Sequence, residues 1–461
     1  MPEQGAGGVV TAASAATRPA AMEDDAPGEP RDGGRGSLRT FDALRDRSFR
    51  WFFVSMLSQF SSMHMQMVVN PWLVYELTGS YAALGTVALV SSVPGIVLGF
   101  AGGVVADRAP KKAVVQIGQA ISAVGTFVVA LLISFGMLAY WHLLALAALQ
   151  GAVFAIVGPT RQAFIPEIVG PARLTNAIAL NMAGLNVTRM GVPALGGILI
   201  ALIGADGVFY VMAALIFIAM ITLTPVRKHV MSTEDEAVLR EQEETGFGGM
   251  ARMEQRTNAK TIGGGFRDIA DGIRYIWQDS VVFMLLAVNF FIVLMSMPYM
   301  QMMAGFVKQV LHSGPEGLGI LWSVTGVGSL VGSLAIASMP NRGRGKVFLW
   351  SALVLGVALM AFAASTSFWL TAVIMLAVGV GSAGRMSLGN ILIMSYTHPA
   401  YQGRVMSVFM MEFSLVSFGT FLVGVMASVV GIQWAIGVTA FSLVVIAAIG
   451  LLAVPKVRDL P

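Results

Sequence analysis

The chain has 461 residues, of which 56% are hydrophobic and only 12% are charged. Its mean hydropathy is +0.76. Soluble domains carry about twice that charged fraction, so the composition excludes an ordinary soluble protein and indicates a membrane protein. The absence of cysteine excludes disulfides and thiolate metal sites. The net charge of +4 comes from cations in short connections between apolar stretches, which set membrane orientation and do not indicate nucleic-acid binding.

The first part of the chain differs from the rest. Residues 1–38 are rich in Gly, Ala and Pro, and they predict a disordered tail. No continuous apolar stretch follows a basic start there, so we do not expect a signal peptide. Apolar stretches that can cross a ~30 Å hydrocarbon core then follow one another almost to the end. We predict twelve transmembrane helices, at about 50–76, 80–106, 112–136, 140–164, 175–202, 205–225, 280–308, 315–338, 346–364, 367–395, 404–429 and 432–454.

A polar segment separates the sixth and seventh spans. Residues 227–265 mix both signs of charge and are predicted to tether two halves, a six-helix bundle at 39–226 and a second at 280–455. In 266–279 the apolar residues fall at helical spacing between charges, which predicts an amphipathic helix on the inner membrane face. The alternative is an ordinary extension of the seventh span. Residues 456–461 form a short cytoplasmic tail.

The distribution of cations predicts the orientation. Nearly all Lys and Arg residues lie in or next to the connections on one side of this topology. The connections on the other side that carry no Lys or Arg lie around Gly79, Gly136, Gly204, Ser365 and Gly431. The positive-inside rule therefore predicts a multi-pass protein of the cell inner membrane with both termini in the cytoplasm.

The connection after the second span carries the strongest charge motif. The stretch GVVADRAPKK, from Gly103 to Lys112, follows an apolar run without any charge. A G-x-x-x-D-R-x-x-K-K pattern between two membrane helices resembles the signature loop between helices 2 and 3 of the major facilitator superfamily of transporters. An altered copy lies 234 residues further on, because this offset maps Asp107 onto Asn341 and Gly85 onto Gly319. One constant offset indicates two related halves.

Four further blocks resemble one subgroup of this superfamily, the subgroup that contains the enterobactin exporter and macrolide-efflux proteins. Residues 158–167 read GPTRQAFIPE, 176–177 read NA, 186–197 read NVTRMGVPALGG and 402–407 read QGRVMS. The resemblance covers about residues 40–455. It implies an all-α membrane protein with twelve transmembrane helices in two pseudo-symmetric six-helix bundles.

The resemblance also implies that the charged loop is a conformational latch on the cytoplasmic side. Physically, a carboxylate beside two rocking bundles can hold one state closed through charge-assisted hydrogen bonds and helix-end dipoles. The alternative is a set of charges that only end helices, fix the topology or lie solvated in loops. The predicted latch residues are Gly103, Asp107, Arg108, Lys111, Lys112, Arg161, Glu167 and Arg173.

Polar residues inside the spans predict the substrate and proton pathway. An unpaired Arg189 near mid-membrane would cost roughly 3 kcal/mol or more, so it should face the central cavity or an acid. Glu412 is the predicted acid, and Arg385 is the other intramembrane cation and an alternative partner. These charges could recognise substrate, couple protons or form a structural ion pair, and His64 or Glu412 would have to titrate if protons drive transport. The pathway residues are His64, Gln66, Asn70, Asn181, Arg189, Asn289, Gln301, Arg385 and Glu412.

The sequence argues against an enzyme. There is no phosphate-binding G-x-x-x-x-G-K-[ST] loop, the five histidines lack metal-ligand spacing, and we expect no catalytic residue, metal or cofactor. Methionines in the first and seventh spans suit a varied apolar cargo or simply fill the core.

The subgroup resemblance implies proton-coupled export of an amphipathic small molecule such as a drug, macrolide or siderophore. A solute:proton symporter for uptake and a non-transporting receptor or scaffold are the alternatives. The expected partners are a small-molecule substrate, protons and the lipid bilayer, without nucleic acid, and we expect a monomer.

Overall fold

The structure is a computed structural model that describes residues 43–230, 232, 235–236, 273–339, 342–398 and 401–460. Within these ranges, the side chains of 96, 99–108, 403, 407 and 410–414 are not described. The predicted tail, most of the linker and the first part of the predicted amphipathic helix lie outside the described residues. Asn341 also lies outside them.

The described residues form helices and no strand, which confirms the all-α fold. The helices are α1 Arg47–Thr78, α2 Tyr81–Arg108, α3 Lys111–Ser134, α4 Tyr140–Thr222, α5 Ser280–Ser296, α6 Tyr299–Gln309, α7 Pro315–Ala337, α8 Arg344–Ala364, α9 Phe368–Tyr396, α10 Gln402–Val430, α11 Ile432–Ala453 and α12 Pro455–Arg458. Counting Ser280–Gln309 as one span, seven candidate helices in the described part are long and apolar enough to cross a bilayer. The total of twelve crossings stays a prediction.

Helix α4 is broken twice. Gly170 and Gly204 adopt φ angles of 70° and 77°, in a region that L side chains with a Cβ rarely enter. The breaks divide α4 into 140–169, 171–203 and 205–222, which we call α4a, α4b and α4c. These segments lie close to the predicted spans. The turns thus occur where glycine permits them.

The two halves begin in the same way. Asp46 accepts a hydrogen bond from the backbone N–H of Phe49 at the start of α1, and Asp279 accepts from Val281 and Val282 at the start of α5. Each carboxylate satisfies N–H groups that have no partner within the helix. The same capping residue therefore precedes the first long helix of each half.

Side-chain contacts define the two ends of the bundle. At one end Lys111 meets Glu167, and we call it the basic end. At the other end, the far end, the hydroxyl of Ser134 donates to Asp206 and that of Tyr140 donates to the carbonyl oxygen of Ala83. Large apolar side chains such as Trp369, 76% exposed, point outward from the helices. This exposed apolar surface suits contact with lipid.

Candidate functional site

A group of charged and polar side chains from both halves meets at the middle of the bundle. Arg189 is close enough to His64 and Tyr299 for its charge to act on both, and Arg385 acts on Tyr299 in the same way. His64, Tyr299 and Arg385 are buried, whereas Arg189 is half-buried. We call these four residues the central layer. It is the candidate substrate and proton site.

The central layer contains buried polar atoms without hydrogen-bond partners among the described residues. They include Nδ1 of His64 and the hydroxyl of Tyr299, which lies near Ser382 without a hydrogen bond of normal geometry. Most buried polar groups in proteins are hydrogen-bonded. The layer can therefore accept new partners from a bound molecule or from another conformation.

Tyr299 was missed by the sequence analysis. It is the first residue of α6, directly after Pro298, where the long helix of this half is interrupted. The proline was the one available signal, because a tyrosine in an apolar stretch reads as an ordinary core residue. The interruption places the hydroxyl where the charges of both arginines act on it.

The remaining pathway residues lie elsewhere along the helices. Asn181 and Asn289 are buried, and the other three are half-buried: Gln66, Asn70 and Gln301. Among the methionines of the first and seventh spans, Met65, Met302 and Met303 belong to the buried core. The core-filling interpretation therefore holds for these three methionines.

The predicted pairing of Arg189 with Glu412 concerns a side chain outside the description. The distance of each backbone position from the end of its helix can still be counted, because an α-helix rises 1.5 Å per residue. Position 412 lies about 15 Å from the start of α10, and position 385 lies about 16 Å from the end of α9 at the same basic end. Position 189 lies about 27 Å from the start of α4b. By this count position 412 is nearer to position 385 than to position 189 in its distance from a helix end, and the pairing of Glu412 with Arg189 stays a prediction.

Polar contacts join the two halves at the far end. The hydroxyls of Tyr75 and Tyr81 donate to Oε1 of Gln309 at 3.2 and 2.7 Å, and the N–H of Ala82 donates to Oγ of Ser428 at 3.1 Å. Tyr75 and Gln309 are 234 residues apart. They are therefore equivalent positions of the internal repeat, and they meet each other across its pseudo-twofold axis.

Backbone contacts at glycines repeat this relationship. A Cβ added to Gly85 would lie 2.7 Å from Cα of Phe421, and one added to Gly319 would lie 3.0 Å from Cα of Ala194. Gly85 and Gly319 are also 234 residues apart. The contact between α7 and α4b is therefore the repeat equivalent of the contact between α2 and α10. Small residues allow such close approach. We call these contacts, with those of Tyr75, Tyr81 and Gln309, the far-end seal.

An ion-pair cluster lies at the basic end. Nζ of Lys111 lies 2.5 Å from one carboxylate oxygen of Glu167, and Nζ of Lys228 lies 3.0 Å from the other. Partial burial alone would raise the pKa of Glu167, but the two lysines outweigh it and lower the pKa below its ordinary value. Lys112 instead donates to the carbonyl oxygens of Thr224 and Val226. The structure thus brings two predicted latch residues together within one half.

The other predicted latch residues do not join this ion pair in the description. Arg161 is buried, its guanidinium lies 6.0 Å from the ring centroid of Phe60, and its side-chain nitrogens have no hydrogen-bond partner among the described residues. Arg173 lies half-buried at the start of α4b. The side chains of Gly103, Asp107 and Arg108 lie outside the description, so their latch role stays a prediction.

The beginning of the linker folds onto the break at Gly170. Asp235 is buried, and its carboxylate accepts from the N–H of Ala172 at 3.1 Å and from the N–H and hydroxyl of Ser232. Nε2 of His229 lies 2.6 Å from the same carboxylate. We call His229, Ser232 and Asp235 the linker clamp. Sequence analysis missed it because these residues fall in a polar segment without periodicity.

The sequence of the chain matches a known family over most of its length. The model described as a transmembrane secretion effector, a family of the major facilitator superfamily, matches residues 38–460. The chain belongs to this family. It is therefore a membrane transporter and not an enzyme.

Two curated relatives of the transporter cover most of its length. The staphyloferrin A transporter of Staphylococcus aureus is 22% identical over 83% of this chain and 90% of its own length. The multidrug efflux pump Tap of Mycolicibacterium fortuitum is 24% identical over 85% of this chain and 92% of its own.

Solved transporters share the fold. An inward-facing, unoccupied bacterial homolog of the human lysosomal transporter Spinster aligns with a TM-score of 0.65 and 15% identity, over 92% of this chain and 98% of that one. A peptide transporter POT in complex with sulfate aligns with a TM-score of 0.66 and 14% identity, over 90% and 96%. At these identities the likeness concerns the fold alone.

The linker clamp gives the transporter an expected sensitivity to acid. Burial would raise the pKa of Asp235, but hydrogen bonds from His229, Ser232 and Ala172 lower it below the ordinary 3.8. A lowered pKa contributes stability above the unfolded value, and that contribution is lost as the pH falls through the folded value. The pKa of Glu167 is also lowered, so its stabilising contribution is likewise lost in acid. We therefore expect the clamp to hold at neutral pH and to weaken progressively as the pH falls below about 4.

Hydrogen exchange at the Ala172 amide measures whether its hydrogen bond to Asp235 in the linker clamp is formed. We expect Asp235→Asn to accelerate exchange of this amide at pH 7 by about tenfold, which corresponds to one lost hydrogen bond to a carboxylate. Glu236→Gln, on the exposed neighbour, is the matched control. Equal protection of Ala172 in Asp235→Asn and the unmodified protein would contradict the clamp.

Proposed function

We propose that the protein exports an amphipathic small molecule from the cytoplasm in exchange for protons, by alternating access. The observation that supports this most is the central layer, which places ionisable side chains of both halves at mid-depth, below the far-end seal. A cargo bound there would reach the other side when the seal opens and the basic end closes. The relative described as a multidrug efflux pump supports this direction, and the relative described as a staphyloferrin A transporter supports a small-molecule cargo.

The protein lies in the inner membrane as a monomer, with both termini in the cytoplasm and the basic end facing inward. Glu412 or His64 carries the coupled proton, and Asp107 with Lys111 and Glu167 biases which end opens. A reporter enzyme that is active only outside the cytoplasm, fused to the C-terminus, should be inactive.

Everted membrane vesicles test the function. Respiration acidifies their lumen, and a fluorescent weak base reports the pH gradient. A drug and siderophore panel is first ranked by growth protection of a hypersensitive host that expresses the protein. Adding a protective compound should release protons and restore fluorescence, and the compound should accumulate inside.

Glu412→Gln provides the coupling test. We expect it to abolish cargo-induced proton release because an amide cannot carry a proton, while His64→Gln identifies the alternative carrier. Proton release that is unchanged in Glu412→Gln would refute the role of this carboxylate. Cargo accumulation without any proton movement, or movement in the opposite direction, would refute proton-coupled export itself.

A further inference from the structure

We propose that the central layer selects a cargo with a negative charge and that Arg189 binds the anionic group. This inference rests on the proposed transport function and specifies its class of cargo. It starts from the signs of the charges within the bundle. Among the residues that the structure describes, those signs leave one central cation, Arg189, unmatched.

Carboxylates whose side chains are described lie at helix ends or in connections. Glu76, Glu167 and Glu316 each lie within three residues of a helix end, and Asp206 begins α4c. The others cap helices or lie in the linker and at the chain end: Asp46, Asp235, Glu236, Asp279 and Asp459. Glu412 is the one acid in the interior of a described helix, and its side chain is not among those that the structure describes. No described carboxylate therefore neutralises Arg189.

Arg189 has neither a hydrogen bond nor an ion pair among the described residues, and it is half-buried. Its position is fixed by packing, because the close approach of α4b and α7 occurs at Met190, next in sequence, and Gly326. The guanidinium is thus held at mid-depth by the packing of its helix and not by an ion pair with a described residue. A cation held this way carries a high cost near mid-membrane unless a partner arrives.

The neighbouring groups favour an anion. Tyr299 brings a hydroxyl without a hydrogen bond of normal geometry to a position where the charge of Arg189 acts on it. A guanidinium binds a carboxylate through two parallel N–H···O bonds, and such charge-assisted bonds are about twice as strong as neutral ones. A tyrosine hydroxyl can donate a further bond to the same group. A cationic cargo would instead meet the like charge of Arg189.

Three probes with one aromatic body test the sign of the charge. They are biphenyl-4-carboxylate, biphenyl-4-carboxamide and biphenyl-4-trimethylammonium, and their affinities are measured from thermal unfolding of the purified full-length protein. We expect the carboxylate to bind most tightly. Arg189→Gln should weaken carboxylate binding about 10- to 100-fold and leave the carboxamide unchanged. Arg189→Lys, which keeps the charge without the planar fork, should weaken it less.

The exposed Arg274 provides the control, because Arg274→Gln removes a positive charge outside the layer. Tighter binding of the carboxamide or the ammonium would overturn the inference. Equal carboxylate affinity in Arg189→Gln and in the unmodified protein would also overturn it. Proton-coupled export of only neutral or cationic compounds would refute the anionic cargo and leave the proposed function intact. Arg189-dependent carboxylate binding without proton coupling would support the anionic cargo and refute the proposed proton-coupled export.

Discussion

Gly424→Val is expected to reduce transport at least tenfold and to leave a folded protein. A Cβ at Gly424 would lie 2.5 Å from the carbonyl oxygen of Tyr81, where α2 and α10 meet in the far-end seal. Backbone cannot move aside as a side chain can, so the two halves must separate there. Overpacking of this kind costs about 1–3 kcal/mol, and the cost applies only to the sealed state. The equilibrium should therefore shift about 5- to 150-fold toward the state open at the far end.

The lack of cysteine makes this shift measurable. Met302 packs against Gly424 and is fully buried, so a cysteine in Met302→Cys is the single thiol of the protein. A membrane-impermeant maleimide should label it slowly in the parent and rapidly when Gly424→Val is added. Gly437→Val, at the far end of α11 with only Ala363 at 4.0 Å, is the matched control. Slow labelling together with full transport in Gly424→Val would show that the seal does not govern the cycle.

Gly151→Val should instead destabilise the protein in every conformation. A Cβ at Gly151, in α4a, would overlap the carbonyl oxygen of Ser91 in α2. Both helices belong to the N-terminal half, so rocking of the halves cannot relieve the overlap. We expect a loss of about 3 kcal/mol in stability, at the upper end for overpacked sites. The same substitution type thus acts on conformational equilibrium at Gly424 and on folding at Gly151.

Thermal unfolding of the purified protein distinguishes these outcomes. Gly151→Val should unfold several degrees below the parent and give a low yield of monodisperse protein. Gly158→Val is the control because it lies two turns away in the same helix, with no atom within 4 Å of its Cβ. A parental unfolding temperature for Gly151→Val would contradict the close contact between α2 and α4a.

The helices and the repeat could be predicted from the sequence. Apolar stretches report the free energy of transfer into lipid, which is summed along a segment and does not depend on its neighbours. The offset of 234 residues predicted which positions are equivalent, and Tyr75 with Gln309 and Gly85 with Gly319 obey it. The proximity of Lys111 and Glu167 followed from their positions at the same end.

The site could be predicted only in part. Arg189 and Arg385 were found because a charge inside an apolar stretch is costly wherever it points. Tyr299 was not found, because only the charges of two arginines that act on its hydroxyl distinguish it from other tyrosines in apolar stretches. Arg161 was placed among loop charges, yet its guanidinium is buried against Phe60. Burial of one side chain depends on the facing helix, which hydropathy does not describe.

The sequence by itself thus predicted which segments are apolar enough to cross a membrane, that they form two related halves and which charges are costly. Only the tertiary structure decided which faces meet, that the halves close on each other at the far end and that the linker begins in a clamp. The physical reason is that a lipid-facing and a helix-facing apolar residue have nearly the same transfer energy. Their roles separate only through close contacts and hydrogen bonds between segments far apart in the chain.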